Sequence, residues 1–218
     1  TSAYMQDYLK QNMPPDRIVQ LGGSGFAVIY DGAEAGPTVM VRAELDALPI
    51  HEVNTDIDYR SAYDGVAHKC GHDGHMAMLA GLAQQYDRQR PAKGRVVLLF
   101  QPDEEMGTGA KSCLAHPGFA EIEPDYVFAL HNFPGYQKNE IIYSYNSLTS
   151  SVMFAALKLT GREAHSAMPE TGVSPAEAIA EITQAASNIQ DAFDTPGSYA
   201  LIVPVRFDMG VVSSGVAP

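Results

Sequence analysis

The apolar positions along the chain alternate between two spacings, one typical of strands and the other of helices. Short runs rich in β-branched residues, bounded by glycine and proline, predict strands at 26–30 and 38–45. Apolar residues at helical spacing predict a helix over 74–90, which stops at Pro91. The continuously apolar run 94–101 then indicates a strand that is covered on both faces of a sheet.

Shorter elements follow in the middle of the chain. Residues 104–115 can form a helix, although Gly107 and Gly109 weaken its first turns. Further buried strands are predicted at 126–131 and 140–145. Strands that alternate with helices in this order favour an α/β fold with a largely parallel sheet.

The pattern changes after the polar turn segment NSLTSS. Strands are predicted at 152–160 and 199–207, the second broken by a proline that suits an edge strand, and a helix is predicted at about 175–193. We therefore expect two domains, a catalytic one at 1–149 and a smaller α+β domain at 150–218.

Charge and cysteine content exclude several classes of function. The chain of 218 residues has a formal net charge of −12, which argues against nucleic acid and membrane surfaces as partners. No apolar run approaches the roughly 20 residues of a transmembrane helix, and the N-terminal segment lacks the pattern of a signal peptide. Two cysteines, Cys70 and Cys113, are too few for a disulfide framework and predict a cytoplasmic protein.

One short segment, HKCGHDGH at 68–75, concentrates residues that bind metals or carry redox chemistry. Three interpretations are open: a metal site, a redox thiol with polar neighbours, or an accidental cluster. A redox role lacks a Cys-x-x-Cys partner, and a metal site needs further ligands from elsewhere in the chain. Cys70 and His72 lie two apart, where a glycine-containing turn can point both side chains the same way. His68 and His75 could be partners of the ligands or ordinary surface residues.

Polar residues also stand where three of the predicted buried strands end. They are Asp46 after the second strand, Glu104 and Glu105 after the third, and His131 at the end of the fourth. Ligands of open α/β sheets collect beyond the carboxyl ends of the strands, so we expect these side chains at one rim. Each also has an ordinary alternative, namely a turn residue, a solvated helix start or a hydrogen-bonded surface histidine.

The residue types at this rim suit a borderline-soft divalent metal. Thiolate from Cys70, imidazole from His72 and His131, and carboxylate from Glu105 are ligands of such ions. An adjacent carboxylate can take a proton from a water that the metal has made acidic, with a pKa that falls from roughly 15.7 to about 7 in zinc sites.

Five segments carry a family resemblance: VRAELDALPI, HKCGHDGHMAMLAG, LLFQPDEEMGTGAK, ALHNFP and GREAHSAMP. In order and rough spacing the chain resembles the metal-dependent N-acyl-amino-acid amidohydrolases. That group includes hippurate hydrolase and indoleacetyl-amino-acid hydrolase, within the aminoacylase and glutamate-carboxypeptidase superfamily. The resemblance implies a metallopeptidase-like catalytic domain, a lid domain that forms a homodimer, and one or two divalent ions of zinc, manganese, cobalt or nickel.

The resemblance also implies roles for single residues. The metal ligands that it implies are Cys70, His72, Glu105 and His131. Glu104 is expected to be the general base, and Asp46 the catalytic aspartate that orients a ligand. His165 is expected to reach the active site of the dimer partner and to stabilise the oxyanion, although in sequence it is an ordinary histidine of a polar loop.

We therefore predict metal-dependent hydrolysis of the amide bond of an N-acyl amino acid or a related small acyl conjugate. The alternatives are a dipeptidase or exopeptidase of the same superfamily and a non-catalytic homologue that binds metal and ligand. Family members are longer, so the chain is expected to begin after their N-terminal helix and to stop inside the lid domain. A further histidine ligand and contacts to a substrate carboxylate are then expected from outside it. Asp103 and Lys69 stand where the family commonly has small residues.

Overall fold

The computed structural model of the chain describes residues 1–193 and 200–210. It divides the chain into two units, Thr1–Ile141 and Ile142–Pro218. Each unit is described by itself below. The predicted assignment of 1–149 as a catalytic domain and of 150–218 as a lid stays a prediction.

A five-stranded sheet with helices on both faces forms the first unit. Its elements in chain order are α1 (Ser2–Asn12), β1 (Arg17–Gln20), β2 (Phe26–Asp31), β3 (Glu34–Glu44), α2 (His72–Arg88), β4 (Lys93–Gln101), α3 (Gly109–Ala115) and β5 (Tyr126–Ala129). The strand order is β1-β2-β4-β3-β5. Strand β3 pairs in parallel with β4 and β5, whereas β2 pairs antiparallel with β1 and β4.

The predicted α/β class with a mixed sheet is confirmed, although two of its pairings are parallel and two are antiparallel rather than mostly parallel. Its antiparallel part begins with the hairpin of β1 and β2, which a tight turn closes through the Leu21 N–H to Gly25 carbonyl hydrogen bond of 2.8 Å. Antiparallel strands can be joined by such a short turn, whereas parallel strands need a long crossover. The four residues of β1 are too few to give a clear periodic signal, so the hairpin was not predicted.

Apolar side chains on the two faces of the sheet form two separate clusters. On one face α1 and α2 cover the sheet, and Leu9 and Leu79 are fully buried there. The rings of Phe26 and Phe100 stack on that face with centroids 4.6 Å apart. On the other face Cys113 of α3 packs against the central strands. The burial of β2 and β4 on both sides explains why their sequences are continuously apolar.

Three predicted elements of the first unit need correction. The helix predicted at 104–115 begins only at Gly109, because Gly107 has a φ of 66° and closes a turn on the Glu104 carbonyl at 2.8 Å. Strand β5 is present, but its side chains are exposed rather than buried, since it lies at the edge of the sheet. No strand forms at 140–145.

The second unit contains the predicted helix, as α4 (Ala176–Phe193). The strands predicted at 152–160 and 199–207 are absent from residues 142–193 and 200–210, and residue 199 lies outside the described residues. Arg162 forms an isolated bridge with Val173 there. Met153 and Leu157 are exposed, so these apolar runs have no neighbouring strand to satisfy their backbone groups, which an isolated strand requires.

Within the described parts of the chain, no helix has both the length and the apolar character that crossing a membrane requires.

The buried face of β4 makes a prediction about stability. Leu98 is fully buried in the cluster beneath α1 and α2. Leu98→Ala should lower the free energy of unfolding by about 2–5 kcal/mol, because the substitution leaves a cavity that the core fills only partly. Leu114 of α3 is exposed, and Leu114→Ala should change it by less than about 0.5 kcal/mol. Urea denaturation followed by circular dichroism measures both, and equal losses would contradict the assigned core.

Candidate metal centre

The predicted site residues of the first unit meet at one edge of the sheet. Strands β3, β4 and β5 are parallel, so their carboxyl ends lie at the same edge. Asp46 follows β3, Glu104 and Glu105 follow β4, and His131 follows β5. Helix α2 begins at the same place with His72.

His72 is buried at the start of α2, with 1% of its surface exposed. Its Nδ1 lies 2.9 Å from the Asp46 carbonyl oxygen, which can only accept, so Nδ1 carries the proton and donates it. Its Nε2 therefore has a free lone pair. That atom lies 3.6 Å from Glu104 Oε2 and 3.9 Å from Glu105 Oε1.

His131 is fixed in the same tautomer by a different carbonyl. Its Nδ1 donates to the Asn132 carbonyl oxygen at 2.7 Å, which leaves Nε2 directed at Cys70 Sγ, 3.4 Å away. Cys70, His72 and His131 offer ligand atoms that all lie within 4.8 Å of one another. A hydrogen bond to the other ring nitrogen is the usual way in which proteins orient a histidine that ligates a metal.

The glutamate pair forms a second group with His72. One ligand atom each from His72, Glu104 and Glu105 again lies within 4.8 Å of the others. Asp46 links this group to the first one, because its Oδ2 accepts the Glu105 backbone N–H at 3.0 Å while its carbonyl accepts from His72. Asp46 thus holds two predicted ligands by separate hydrogen bonds.

Unpartnered lone pairs show that these residues fit a cation. Among the side chains that the structure describes, four buried polar atoms lack a hydrogen-bond partner: Asp46 Oδ1, His68 Nδ1, His72 Nε2 and Glu105 Oε1. Buried polar atoms without partners cost free energy, and most proteins avoid them. Two of the four belong to predicted ligands, which a divalent ion would satisfy. His68 shares the buried edge, and burial lowers the pKa of its imidazole.

Cys70 lies in surroundings that disfavour its thiolate. Burial and the neighbouring carboxylate of Glu105 raise the pKa of the Cys70 thiol to about 11, and the charge of Glu104 adds to this. Reactive redox cysteines instead have lowered pKa values beside cationic groups, so this geometry argues against the redox interpretation. A divalent cation at the site would reverse the sign of the local charge and favour the thiolate.

Two backbone conformations shape the loops that carry the ligands. Gly71, between Cys70 and His72, has a φ of 124°, and a Cβ there would lie 2.1 Å from Asn132 Oδ1. Asp103 has a φ of 47°, in the left-handed region, directly before the glutamate pair. Aspartate tolerates this region better than most residues, which suits the sharp turn that follows Pro102.

Sequence reasoning missed Glu44 and Asn132, which lie next to the ligands. Glu44 ends β3 and is buried, and its Oε2 lies 2.7 Å from Nδ1 of His75. His75 is fully buried, so the surface interpretation of this residue is wrong. A charged residue inside an apolar strand was the available signal for Glu44.

His165 belongs to the second unit, and its predicted role stays a prediction. The side chain is exposed, and its Nδ1 accepts the Ala167 backbone N–H at 3.1 Å. A neutral His165 therefore carries its proton on Nε2, where it can donate.

Comparison with known proteins identifies the family of the chain. Residues 40–202 match the family described as Peptidase family M20/M25/M40. An N-acetyldiaminopimelate deacetylase of Listeria monocytogenes is 32% identical over 169 residues, which cover 78% of this chain and 45% of that protein. An N-acetyl-L-cysteine deacetylase of Bacillus subtilis is 32% identical over 211 residues, which cover 96% of this chain and 50% of that protein.

Solved structures add to this relationship. A Bacillus subtilis protein described as a dinuclear metal binding peptidase from the M20 family aligns with a TM-score of 0.52 and 31% identity, over 62% of this chain and 37% of that one. A structure from Staphylococcus aureus aligns with a TM-score of 0.68 over 99% of this chain and 57% of that one, and at 22% identity it supports the fold alone.

The chain belongs to the M20/M25/M40 peptidase family. It spans about half the length of the relatives that it matches.

The thiol in the ligand set gives a prediction about metal content. Cys70→Ser should lower bound metal sharply, because a hydroxyl is a poor ligand at neutral pH. Cys113→Ser is the matched control, since Cys113 is buried on the other face of the sheet. Elemental analysis of the purified full-length proteins decides between them. Metal content that is equal in wild type and Cys70→Ser would remove this residue from the site.

Proposed function

We propose that the full-length protein hydrolyses the amide bond of N-acyl amino acids with the help of one or two divalent ions. The observation that carries the proposal is the convergence of two carboxylates on the unpartnered Nε2 of buried His72. In this proposal Cys70, His72, Glu105 and His131 hold the ion or ions.

Glu104 is the proposed base because of its place and its exposure. Its side chain is 38% exposed, so its Oε2 faces both the ligands and open solvent. A bound divalent ion makes a water acidic and polarises the amide carbonyl. Glu104 accepts a proton from the attacking water as the oxygen–carbon bond forms. It then delivers this proton to the amine nitrogen as the carbon–nitrogen bond breaks, which gives a carboxylic acid and an amine. Transfer of the acid's remaining proton to the amine leaves a carboxylate and an ammonium group.

Asp46 is proposed to orient the ligands rather than to react. Its carbonyl holds the His72 tautomer and its carboxylate holds the Glu105 backbone, with distances of 2.9 and 3.0 Å. Both contacts involve β3 and its following loop, so the ligands take their positions from the sheet.

The substrate class follows from the relatives, which are named as deacetylases of acetylated amino acids. We propose a short-chain acyl amino acid, and a dipeptide is the second candidate because one solved relative is described as a peptidase. The reaction is proposed to take place in the cytoplasm, in keeping with two free cysteines.

A panel of substrates tests this function. Full-length protein with zinc, manganese or cobalt is incubated with N-acetyl amino acids, longer N-acyl amino acids and dipeptides, and the released amine is measured. Amine release from acyl amino acids is the expected result. Release from dipeptides alone would make the protein a peptidase. A metal-loaded protein without activity on the panel would favour the non-catalytic binding role.

The glutamate pair predicts two different phenotypes. Glu104→Gln should retain metal while kcat falls by about 10²–10⁴-fold, because the variant keeps the shape of the side chain but cannot accept the proton. Glu105→Gln should instead weaken metal binding. Steady-state kinetics and metal titration on each variant separate the two effects. The reverse pattern would exchange the two roles.

His165 predicts a result that depends on a dimer. We propose that the protein is a homodimer through its second unit and that the Nε2–H of His165 donates to the oxyanion in the partner's site. His165→Ala should then lower kcat and leave metal binding unchanged, because such a donor acts mainly in the transition state.

Mixing the two inactive variants tests the action between subunits. Hybrid dimers of His165→Ala and Glu104→Gln contain one complete site, so subunit exchange should restore part of the activity. A mixture of His165→Ala with the surface variant Leu114→Ala serves as the control for subunit exchange. Verified exchange without recovery would contradict the proposal, and a wild-type rate in His165→Ala would make this residue part of the ordinary surface.

A further inference from the structure

Three polar residues, Glu44, His75 and Asn132, contact one another beside the predicted ligands and are not themselves predicted ligands. Glu44 Oε2 and His75 Nδ1 are 2.7 Å apart, with 1% and 0% of these residues exposed. His75 Nε2 contacts two atoms of Asn132: the backbone N–H donates to it at 3.0 Å, and the side-chain Oδ1, which cannot donate, lies 2.9 Å away. These contacts therefore connect β3, α2 and the loop after β5.

A buried carboxylate such as that of Glu44 costs free energy unless its charge is paired. Arg42 forms an ion pair with Glu44 and also donates from Nε to Gln101 Oε1 at 2.9 Å. A buried carboxylate with an arginine and a histidine as partners is held in one geometry, because removal of either partner would leave an uncompensated charge.

His75 has no lone pair left for a metal. Although Glu44, His72 and His75 together offer ligand atoms within 4.8 Å of one another, both nitrogens of His75 have protein partners. Both oxygens of Glu44 likewise have protein partners, Arg42 and His75. These residues are thus suited to holding other groups and not to holding an ion.

Asn132 is the group that they hold. Its carbonyl oxygen accepts from His131 Nδ1 at 2.7 Å and so fixes that ring with Nε2 towards Cys70. Its side chain packs against Gly71 so closely that a Cβ on Gly71 would lie 2.1 Å from Asn132 Oδ1. Asn132 consequently touches both halves of the ligand set, the loop that carries Cys70 and His72 and the loop that carries His131.

We propose that Glu44 and His75 are positioning residues that fix Asn132, and that Asn132 joins the two ligand loops into one metal site. The inference rests on the proposed function because it requires that the site holds a divalent ion. It states that the affinity for this ion depends on three residues, Glu44, His75 and Asn132, that supply no ligand atom.

Metal titration of the full-length apoprotein with Co²⁺ or Zn²⁺ tests this without any substrate. Loss of a group that orients a ligand typically weakens metal affinity by about 10–100-fold, and we expect this for His75→Ala and for Asn132→Ala. Asn132→Ala removes the side-chain contacts with His75 and Gly71 but keeps the backbone groups that contact His75 and His131. Because Asn132 is exposed, the substitution opens no core cavity. The matched control is Leu79→Ala, which opens a cavity about one turn further along the buried face of α2 and should leave the affinity unchanged.

The double variant and the spectrum of bound cobalt separate positioning from a general loss of stability. The effects of His75→Ala and Asn132→Ala on affinity should not add, because both substitutions remove the contact between the His75 ring and the Asn132 side chain. The thiolate-to-cobalt absorption band should weaken or shift in both single variants and stay the same in Leu79→Ala.

Each outcome has one meaning. Wild-type protein that binds no metal would contradict the proposed function itself. Wild-type protein that binds metal while His75→Ala and Asn132→Ala bind it equally well would overturn the positioning role alone. A His75→Ala variant that binds one ion fewer, with unchanged affinity for the rest, would make His75 a ligand and also overturn it.

Discussion

The hydrogen bond between His72 and the Asp46 carbonyl is the contact on which the rest of the site depends. It ties the start of α2 to the end of β3, and it decides which nitrogen of the buried ring keeps a free lone pair. Asp46 also accepts the Glu105 backbone, so the segment after β4 takes its position from the same residue. The parallel pairing of β3 with β4 makes this possible, because it brings both strand ends to one edge.

The electrostatics of the site follow from that arrangement. Three glutamates, Glu105, Glu104 and Glu44, act on the Cys70 thiol, whose pKa is raised first by its burial and then by the Glu105 carboxylate. Without a cation, the carboxylates disfavour the thiolate, and with a cation they act with it as ligands or as a base. The neutral tautomers of His72 and His131 fit this too, since each ring donates to a carbonyl and offers its second nitrogen to the site. A positive charge at this site would favour the Cys70 thiolate and pair with the neighbouring carboxylates.

Features of the fold and the site could be predicted from the sequence where they depend on residues close together in the chain. Strand β4 and helix α2 were found to within about two residues, because their periodic patterns are long and local. The rim of Asp46, the glutamates and His131 followed from strand ends and from sheet geometry. The contact of Glu44 with His75 was not predictable, since it joins residues 31 positions apart and no local pattern marks it. The strands expected after residue 150 failed for a related reason, because a strand forms only where a partner strand satisfies its backbone.

The predicted metal ligands differ in burial, and an exposed ligand needs neighbouring residues to hold it in position. His72 is enclosed between α2 and the sheet, whereas His131 is exposed and follows the short edge strand β5, which pairs with β3 alone. Four residues of edge pairing give the following loop little fixed geometry of its own. The position of His131 therefore depends on Asn132, and Asn132 depends on the fully buried imidazole of His75. In this proposal, hydrogen bonds through Asn132 and the buried His75 position His131, and the short strand β5 that precedes it contributes less.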